Sequence, residues 1–390
     1  MISFDNTEIA FTSKTDADLK RAFWLFKIVG NPFLVKFGKW ATNYALKIQL
    51  PIKGIIKKTI FRQFCGGETI AECEKTINQL GKYGIGTILD YSIEGKTSEE
   101  DFNATVEEII ATIHAAKNNP NIPFAVFKVS GISRFSILEK ANDPNSNLTE
   151  IEKMELSLAI SRIDKICFAG FENNIPVFID AEESWIQDTI DRITKDMMRK
   201  YNGNKAIVFN TIQIYRHDRI EFLKNEIRDA KNESFHYGVK LVRGAYMEKE
   251  RERAQLRNYT SPIQPNKAAC DKDFNEALEI IISEIAYTAL CAGSHNEKSA
   301  LVLVELIEKL AISKNDNRIY FAQLLGMSDH ISYNLSNEGF NVAKYVPYGP
   351  VKEVIPYLLR RANENTSVSG QTSRELGLII KEKQRRALRK

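Results

Sequence analysis

The sequence predicts an α/β fold in which eight strand-then-helix units close into a (β/α)8 barrel of the TIM type, preceded by a helical arm. From Ile85 onward, short apolar or β-branched segments alternate with longer segments of helical periodicity. There are eight short segments over about 280 residues, which is the repeat number and length of such a barrel. A doubly wound sheet is the less favoured alternative, because it would not need eight units and no switch-point signature occurs.

The eight predicted strands are short apolar or β-branched segments. In chain order they are IGTILDY, FAVFKVSG, IPVFIDA, AIVFNTIQIY, GVKLVRGAY, AYTALCAGS, RIYFAQLLG and NVAKYVPYG. Amphipathic segments with apolar residues at helical spacing separate most of them. A polar loop at residues 142–147 is expected to precede a long helix near residues 148–173.

Charge divides the chain into three predicted segments. These are a basic, aromatic helical arm at residues 1–64, the barrel at residues 65–370 and a basic, solvated tail at residues 371–390. Between Leu19 and Gly67 there are ten Lys or Arg and no Asp or Glu, although the net charge of the whole chain is only +4. Cations alternating with apolar anchors suit an anionic membrane surface. The open alternative is that these helices pack on the barrel while their lysines reach into water.

Composition and cysteine content exclude several classes of protein. Hydrophobic residues make up 43% and charged residues 27% of 390 residues, which excludes a collagen-like or wholly disordered chain. The five cysteines form no CxxC pair, so we expect neither a disulfide framework nor a zinc ribbon, and a reducing compartment fits best. We also expect no secretion signal, no membrane-spanning helix, no catalytic metal and no nucleic-acid partner.

Polar side chains interrupt the apolar strands near their carboxyl ends, where the chemistry of a (β/α)8 barrel collects. They are Lys128, Asp180, Gln213, Lys240 and Arg243. A charge at such a position is costly to desolvate unless it is paired. Structural salt bridges can explain any one of these residues, but several together favour a binding site.

The segment YLLRRANE, taken as a helix, places Tyr357, Arg360, Arg361 and Glu364 on one face, at positions i, i+3, i+4 and i+7. Two adjacent guanidinium groups offer forked donors for a carboxylate, and Glu364 can balance their charge. We interpret this face as a clamp for an acidic small molecule. A solvated helical face with one ion pair is the alternative.

A second candidate for ligand binding follows the sixth predicted strand. Ser294 or Asn296 is placed to cap the next helix, and a helix N-terminus beside the barrel mouth suits the phosphate of a cofactor. Plain capping explains both residues equally well, and His295 is then an ordinary loop histidine.

Five motifs in this chain resemble the proline dehydrogenase (proline oxidase) family. They are KLVRGAYMEKERERAQ, SHN, FAQLLGM, KYVPYGP and YLLRRANEN, in this order, and the last contains the family's YLxRRxxE signature. The resemblance runs from Phe64 to Asn365 and is to the monofunctional members, because no aldehyde dehydrogenase region follows. It implies a distorted barrel that holds FAD non-covalently. It also implies oxidation of L-proline to Δ1-pyrroline-5-carboxylate, by hydride transfer from the proline C5 to the flavin N5.

The resemblance further implies particular partners and a location. Membrane quinone would reoxidise the flavin, which gives the basic arm a reason to dock on a membrane. A separate pyrroline-5-carboxylate dehydrogenase would act next. We therefore expect a cytoplasmic protein that is peripheral on the inner face of the membrane.

Site residues are carried over from the family motifs by position. Arg360 and Arg361 would clamp the substrate carboxylate, Lys128 would pair with Glu364 near the proline ring, and Asp180 would order the barrel mouth. The positions that match flavin-contacting residues are Ala181, Gln213, Lys240, Val242, Arg243, Gly244, Tyr246, Ser294, His295 and Asn296. Those that match the pocket wall are Leu324, Tyr345 and Tyr357. Lys240 stands where many bacterial relatives carry arginine, so it supplies a cation without a bidentate fork.

Three other functions compete with this interpretation. Hydroxyproline dehydrogenase is the nearest, and the bulk of Tyr345 against the substrate ring would disfavour a 4-hydroxyl group. From another reaction class, Lys128 or Lys240 could be the Schiff-base lysine of a barrel aldolase. The third is a catalytically silent barrel that binds membranes through its arm.

Overall fold

Eight parallel strands close into a barrel in the order β1 to β8, which confirms the predicted (β/α)8 class. The computed structural model describes residues 2–31, 33–34, 38, 53–92, 97–367 and 371–389. For residues 29, 53, 55, 58, 361–367 and 371–372 it describes the backbone alone.

The eight strands overlap the eight predicted segments. Their bounds are β1 Ile85–Tyr91, β2 Phe124–Lys128, β3 Val177–Asp180, β4 Val208–Gln213, β5 Tyr237–Val242, β6 Thr288–Gly293, β7 Ile319–Leu324 and β8 Val342–Tyr348. Several predicted segments are too long at the carboxyl end. FAVFKVSG, for example, continues past β2 into a 3₁₀ turn at Val129–Gly131. These strands therefore end close to the polar residues that were singled out in the sequence.

Helices follow each strand and also flank the barrel segment of the chain. The predicted long helix is confirmed as Glu150–Asn173, and Thr149 begins it by accepting a hydrogen bond from the Glu152 amide. The α-helices are Thr7–Ala10, Asp16–Val29, Lys53–Ile56, Arg62–Phe64, Ile70–Gly81, Glu99–Lys117, Phe135–Asn142, Glu150–Asn173, Ser184–Tyr201, Arg219–Glu233, Met247–Arg257, Lys267–Ser283, Glu297–Lys309, Asp329–Asn337, Val351–Ser367 and Gln371–Ala387. A π-helical turn spans Lys57–Phe61.

One of two compact units comprises residues 95–322. Aromatic rings fill its interior: Phe124 stacks on Phe178 with ring centroids 4.4 Å apart, and the ring of Phe209 lies 5.2 Å from that of Phe178. Gly238 on β5 makes room for this packing, because a Cβ there would lie 2.7 Å from the ring of Phe209. These rings therefore form an apolar layer beneath the charged side chains at the strand ends.

The other compact unit comprises residues 1–94 and 323–390. In it β1 pairs with β8 along their full length, from Ile85 opposite Val342 to Tyr91 opposite Tyr348. The predicted segment boundaries at residues 64 and 370 stay predictions.

The basic carboxyl-terminal segment, expected as a solvated tail, forms the helix Gln371–Ala387. Arg386 pairs with Glu382 and Asp16. The helix also contributes Leu378 and Ile379 to a buried apolar cluster that contains Ala10, Phe11, Leu19 and Phe26. These buried contacts hold the helix, and the count of basic residues did not reveal them.

Within the described residues, no helix is long and apolar enough to cross a membrane. No group of His, Cys, Asp or Glu in that part of the chain is placed to hold a metal ion. All five cysteines are free and buried.

Candidate active site

A buried ion pair joins the carboxyl ends of β3 and β5. Lys240 Nζ donates a hydrogen bond to Asp180 Oδ1, and the two residues are only 7% and 8% exposed. Alternate strands of a barrel contribute side chains to the same interior layer, which explains how residues 60 positions apart meet. Either charge alone would be strongly unfavourable at this depth, so each stabilises the other. The structure thus brings together two of the predicted site residues.

Gln213, at the end of β4, adds an open acceptor to this site. The residue is 3% exposed, and its Oε1 accepts no hydrogen bond in the part of the chain that the structure describes. Gln213 faces Val242 in the register of β4 and β5, and Lys240 Nζ lies 5.7 Å from the ring centroid of Phe178. The site thus has a buried hydrogen-bond acceptor without a donor, near a buried cation that lies over an aromatic ring. This arrangement fits a planar ligand with N–H and carbonyl groups on one edge. A flavin ring has this edge.

Arg243, directly after β5, forms hydrogen bonds at the site that is predicted to bind a phosphate. Its Nε donates to Asp271 Oδ1 at 2.8 Å, and its two terminal nitrogens donate to Ser294 Oγ at 2.8 Å and Ser299 Oγ at 2.9 Å. Although burial opposes ionisation, hydrogen bonds from Lys267 and Arg243 lower the pKa of Asp271. The guanidinium is therefore fixed in orientation by one carboxylate and two hydroxyl groups.

The loop after β6 ends in a capped helix, as predicted. Asn296 Oδ1 accepts hydrogen bonds from the amides of Lys298 and Ser299, at 2.9 and 3.3 Å. Ser294 Oγ accepts from the Asn296 amide at 3.1 Å, and His295 is half-buried between them. Capping is confirmed for Asn296, and phosphate binding by this helix N-terminus stays a prediction.

Two buried carboxylates hold the loops around β3, and both were missed in the sequence. Glu182 accepts hydrogen bonds from the amide and hydroxyl of Ser130, and burial raises its pKa to about 7 despite them. Glu250 accepts from the amide and hydroxyl of Ser184 at 2.7 and 2.6 Å. They fix the turn after Lys128 and the loop that contains Ala181. For Glu182, an acidic residue shortly after the apolar strand β3 was the available signal.

The remaining predicted positions of this unit lie at the same strand ends. Lys128 is half-buried and faces Asp180 in the register of β2 and β3. Val242 closes β5, and Tyr246 directly precedes the helix Met247–Arg257. Between them Gly244 has a φ of +132°, a conformation that L side chains rarely adopt.

The predicted pocket-wall residues belong to the other unit. Tyr345 on β8 and Tyr357 on the helix Val351–Ser367 are buried, and Leu324 at the end of β7 is half-buried. Leu324 and Tyr357 pack in one apolar cluster with Phe61, Phe64, Cys65, Met327, Val351, Val354 and Leu358. The structure thus brings two of the three predicted wall residues into one cluster.

The predicted carboxylate clamp lies on the helix Val351–Ser367. Arg360 is half-buried. The side chains of Arg361 and Glu364 lie outside the described residues, so the clamp and the pairing of Glu364 with Lys128 stay predictions.

Comparison with known proteins decides the family. The sequence model of the family described as "Proline dehydrogenase" matches residues 73–374. The chain belongs to the proline dehydrogenase family. Membership confirms the resemblance in the motifs and the predicted enzyme class, a flavin-dependent oxidoreductase.

Individual relatives agree with this membership. The chain is 34% identical to proline dehydrogenase 1, mitochondrial, of Dictyostelium discoideum, over 98% of this chain and 74% of that protein. It is 28% identical to hydroxyproline dehydrogenase of Xenopus laevis, over 96% of this chain and 88% of that protein.

A solved structure shares the fold. It is that of proline utilization A from Bdellovibrio bacteriovorus inactivated by N-propargylglycine, with a TM-score of 0.73 and 19% identity. The match covers 93% of this chain but 38% of that one, so this family member spans little more than a third of the longer protein.

Proposed function

We propose that this chain oxidises L-proline to Δ1-pyrroline-5-carboxylate with FAD as the hydride acceptor. The observation that carries the proposal is the buried pair of Lys240 and Asp180 beside the open Oε1 of Gln213, at the strand ends of a barrel of this family. FAD, when bound, supplies a two-electron acceptor that amino-acid side chains lack. The protein contributes orientation and charge.

The strand-end residues have separate roles in this proposal. Gln213 accepts a ring N–H, and Lys240, held in place by Asp180, offers a cation and a donor to the ring. Arg243 and Ser294, with the amides of the capped helix after β6, suit the cofactor phosphates. Ala181, Val242, Gly244, Tyr246, His295 and Asn296 complete the proposed cofactor contacts.

Substrate binding is assigned to the other set of predicted residues. Arg360 and Arg361 clamp the proline carboxylate, and the walls are Leu324, Tyr345 and Tyr357. The pairing of Lys128 with Glu364 stays a prediction from the family motifs. The wall residues support this role because they are wholly or partly buried and apolar over most of their surface. The carboxylate is then fixed while the ring lies against the flavin.

Removing one arm of the clamp tests the assignment. Arg361→Met should raise the KM for proline roughly 10- to 100-fold, because one charge-assisted hydrogen-bonding group is lost, while the flavin absorbance stays unchanged. Steady-state oxidation with an artificial electron acceptor measures the KM. Arg228→Met, at an exposed arginine, is the matched control and should behave as wild type. An unchanged proline response in Arg361→Met would contradict the clamp.

Hydroxyproline dehydrogenase activity is the second candidate, favoured by the relative of that name. Tyr345 is buried, at 7% exposure, and we propose that the bulk of its ring against the substrate disfavours a 4-hydroxyl group. We expect kcat/KM for L-proline to exceed that for trans-4-hydroxy-L-proline by at least about 10-fold, and Tyr345→Ser to narrow this ratio. A wild-type ratio of the two kcat/KM values near one would favour hydroxyproline dehydrogenase activity.

An aldolase is tested separately. Borohydride trapping of a carbonyl substrate on Lys240 or Lys128 would indicate that activity.

We also propose that the arm docks on an anionic membrane, where a quinone accepts the electrons. The helix Asp16–Val29 exposes Trp24 and Ile28 at 52% and 47%, and Phe33 beyond it is 75% exposed. Lys27 Nζ lies 5.2 Å from the Trp24 ring centroid, so a cation accompanies the apolar surface. We propose accordingly that the protein is cytoplasmic and peripheral on the inner face of the membrane, and that a separate pyrroline-5-carboxylate dehydrogenase consumes the product.

Charge substitution tests the docking surface without unfolding it. The double substitution Trp24→Glu and Ile28→Glu should abolish co-sedimentation with anionic vesicles and slow turnover with vesicle-dissolved quinone, while leaving artificial-acceptor turnover intact. Leu256→Glu, at a residue that is 76% exposed on another helix, is the control. Deleting the arm would be a poorer test, because its Phe4, Phe11 and Leu19 are buried. Undiminished vesicle binding by the double variant would contradict docking through this surface.

A further inference from the structure

Lys344 is a fully buried cation that the predicted site does not use. It lies on β8, directly before Tyr345, and its side chain is 0% exposed. Lysine interrupts an apolar strand here, as Lys128 and Lys240 do, so the sequence carried the same signal and it was missed. A buried ammonium group needs a hydrogen-bond acceptor for each of its N–H donors. The acceptors of Lys344 therefore indicate which part of the structure it stabilises.

The ammonium group of Lys344 bonds to the turn after β7. Nζ donates to the Met327 carbonyl at 2.5 Å, lies 3.4 Å from the Leu324 carbonyl, and pairs with Asp329 Oδ1 at 2.9 Å. Two of these three acceptors are backbone groups of the turn at residues 324–328, which begins with the predicted wall residue Leu324. The cation thus connects that turn to β8 beside Tyr345.

Other groups hold the same turn at different backbone positions. The Leu325 amide donates to the Tyr345 carbonyl at 2.8 Å, and Gln63 Nε2 donates to the Gly326 carbonyl at 3.0 Å. Gly326 and Ser328 have φ values of +76° and +50°, and the second is unfavourable for a residue with a Cβ. The turn therefore relies on these bonds to keep its shape.

We propose that Lys344 is a positioning residue for substrate specificity, which rests on the proposed function and its pocket wall. By fixing the turn after β7 against β8, Lys344 sets the separation of Leu324 and Tyr345, the two wall residues that its bonds connect. Its contribution is to the fit of the proline ring, and it contacts neither substrate nor flavin.

Lys14 provides a matched comparison for this proposal. Its Nζ lies 3.3 Å from Asp329 Oδ2, so Lys14 and Lys344 share one carboxylate. In the part of the chain that the structure describes, Lys14 bonds to none of the carbonyl groups of the turn. Removing either lysine therefore removes one cation from Asp329. Only the removal of Lys344 also removes hydrogen bonds to the turn.

The experiment compares Lys344→Met with Lys14→Met in the full-length chain. We expect Lys344→Met to raise the KM for L-proline by about 10-fold, with kcat and the flavin spectrum close to wild type, because misplaced wall atoms weaken ring binding. The ratio of kcat/KM for proline to that for trans-4-hydroxy-L-proline should fall as well. Lys14→Met should leave the KM for L-proline and the ratio of the two kcat/KM values unchanged. This holds even if Lys14→Met lowers the thermal stability as much as Lys344→Met does.

Gln63→Leu extends the test if Lys344→Met does not fold. Gln63 holds the same turn through the Gly326 carbonyl and is half-buried, so its substitution should raise the KM in the same direction by a smaller factor. Equal KM values in wild type, Lys344→Met and Gln63→Leu would overturn the proposal. A wild-type protein that proline does not reduce would instead sink the proposed function, before any variant is compared.

Discussion

At the scale of single residues, a buried pair of opposite charges marks the proposed site, and a pair at the surface provides a comparison. Lys240 and Asp180 lie beneath the barrel mouth at 9% and 11% side-chain exposure, whereas Lys200 and Asp164 form a pair at the surface, at 55% and 33%. A buried charge that loses its partner is strongly destabilising, whereas a surface charge that loses its partner is hydrated by water instead. The two pairs should therefore respond very differently to the same substitution.

Substitution of each lysine measures this difference. Lys240→Met should lower the free energy of unfolding by about 3–5 kcal/mol, because Asp180 remains as an uncompensated buried carboxylate. Lys200→Met should lower it by less than about 1 kcal/mol. Urea unfolding followed by circular dichroism gives both values, and adding Asp180→Asn to Lys240→Met should recover part of the loss. Equal effects at the two sites would contradict the assignment of a buried pair.

Glu182 should make stability depend on pH. Burial raises its pKa to about 7, above its ordinary value of 4.5, so the folded state binds its proton more tightly than the unfolded state. The contribution of Glu182 to stability is therefore full below about pH 4.5 and is lost as the pH rises to about 7. Relative to Glu182→Gln, which keeps the shape of the side chain, the wild-type protein should lose up to about 3 kcal/mol across this range. A pH-independent difference between the two proteins would show that Glu182 is not buried as described.

At the scale of elements, the strands were the most predictable feature. Short apolar or β-branched segments identify all eight, because a parallel strand covered on both faces is apolar almost throughout. Their ends were less predictable. The segment FAVFKVSG continues with the apolar Val129 beyond Lys128, but the chain turns there, and in this turn the Ser130 amide donates a hydrogen bond to Glu182. That contact joins residues 52 positions apart, and no local pattern contains it.

The carboxyl-terminal helix shows how composition can mislead. Its many basic residues suggested a solvated tail, yet Ile379 is 1% exposed while its neighbour Ile380 is 38% exposed. Ile379→Ala should lower the free energy of unfolding by about 2–4 kcal/mol, because it leaves a cavity in a packed cluster. Ile380→Ala is the adjacent control and should have a much smaller effect. Equal losses in thermal or urea unfolding would contradict the packing of this helix.

At the scale of the whole molecule, the residues that we propose for the site run from Lys128 to Glu364 in the sequence, and no single segment contains them. Spacing alone predicted that polar strand ends would meet, since barrel topology brings them to one rim. It predicted neither which ones pair nor that Arg243 would bind both Ser294 and Asp271, because those contacts depend on register and side-chain reach. The family motifs supplied the cofactor and the substrate, which physical reasoning about charge had left as an acidic small molecule.

An anaerobic absorbance titration shows whether this barrel oxidises proline on a bound flavin. The purified protein should show flavin absorbance bands, and these should bleach when L-proline is added without oxygen, with one equivalent of Δ1-pyrroline-5-carboxylate formed per flavin. A flavin-containing protein whose spectrum remains unchanged at saturating proline would show that proline is not its substrate.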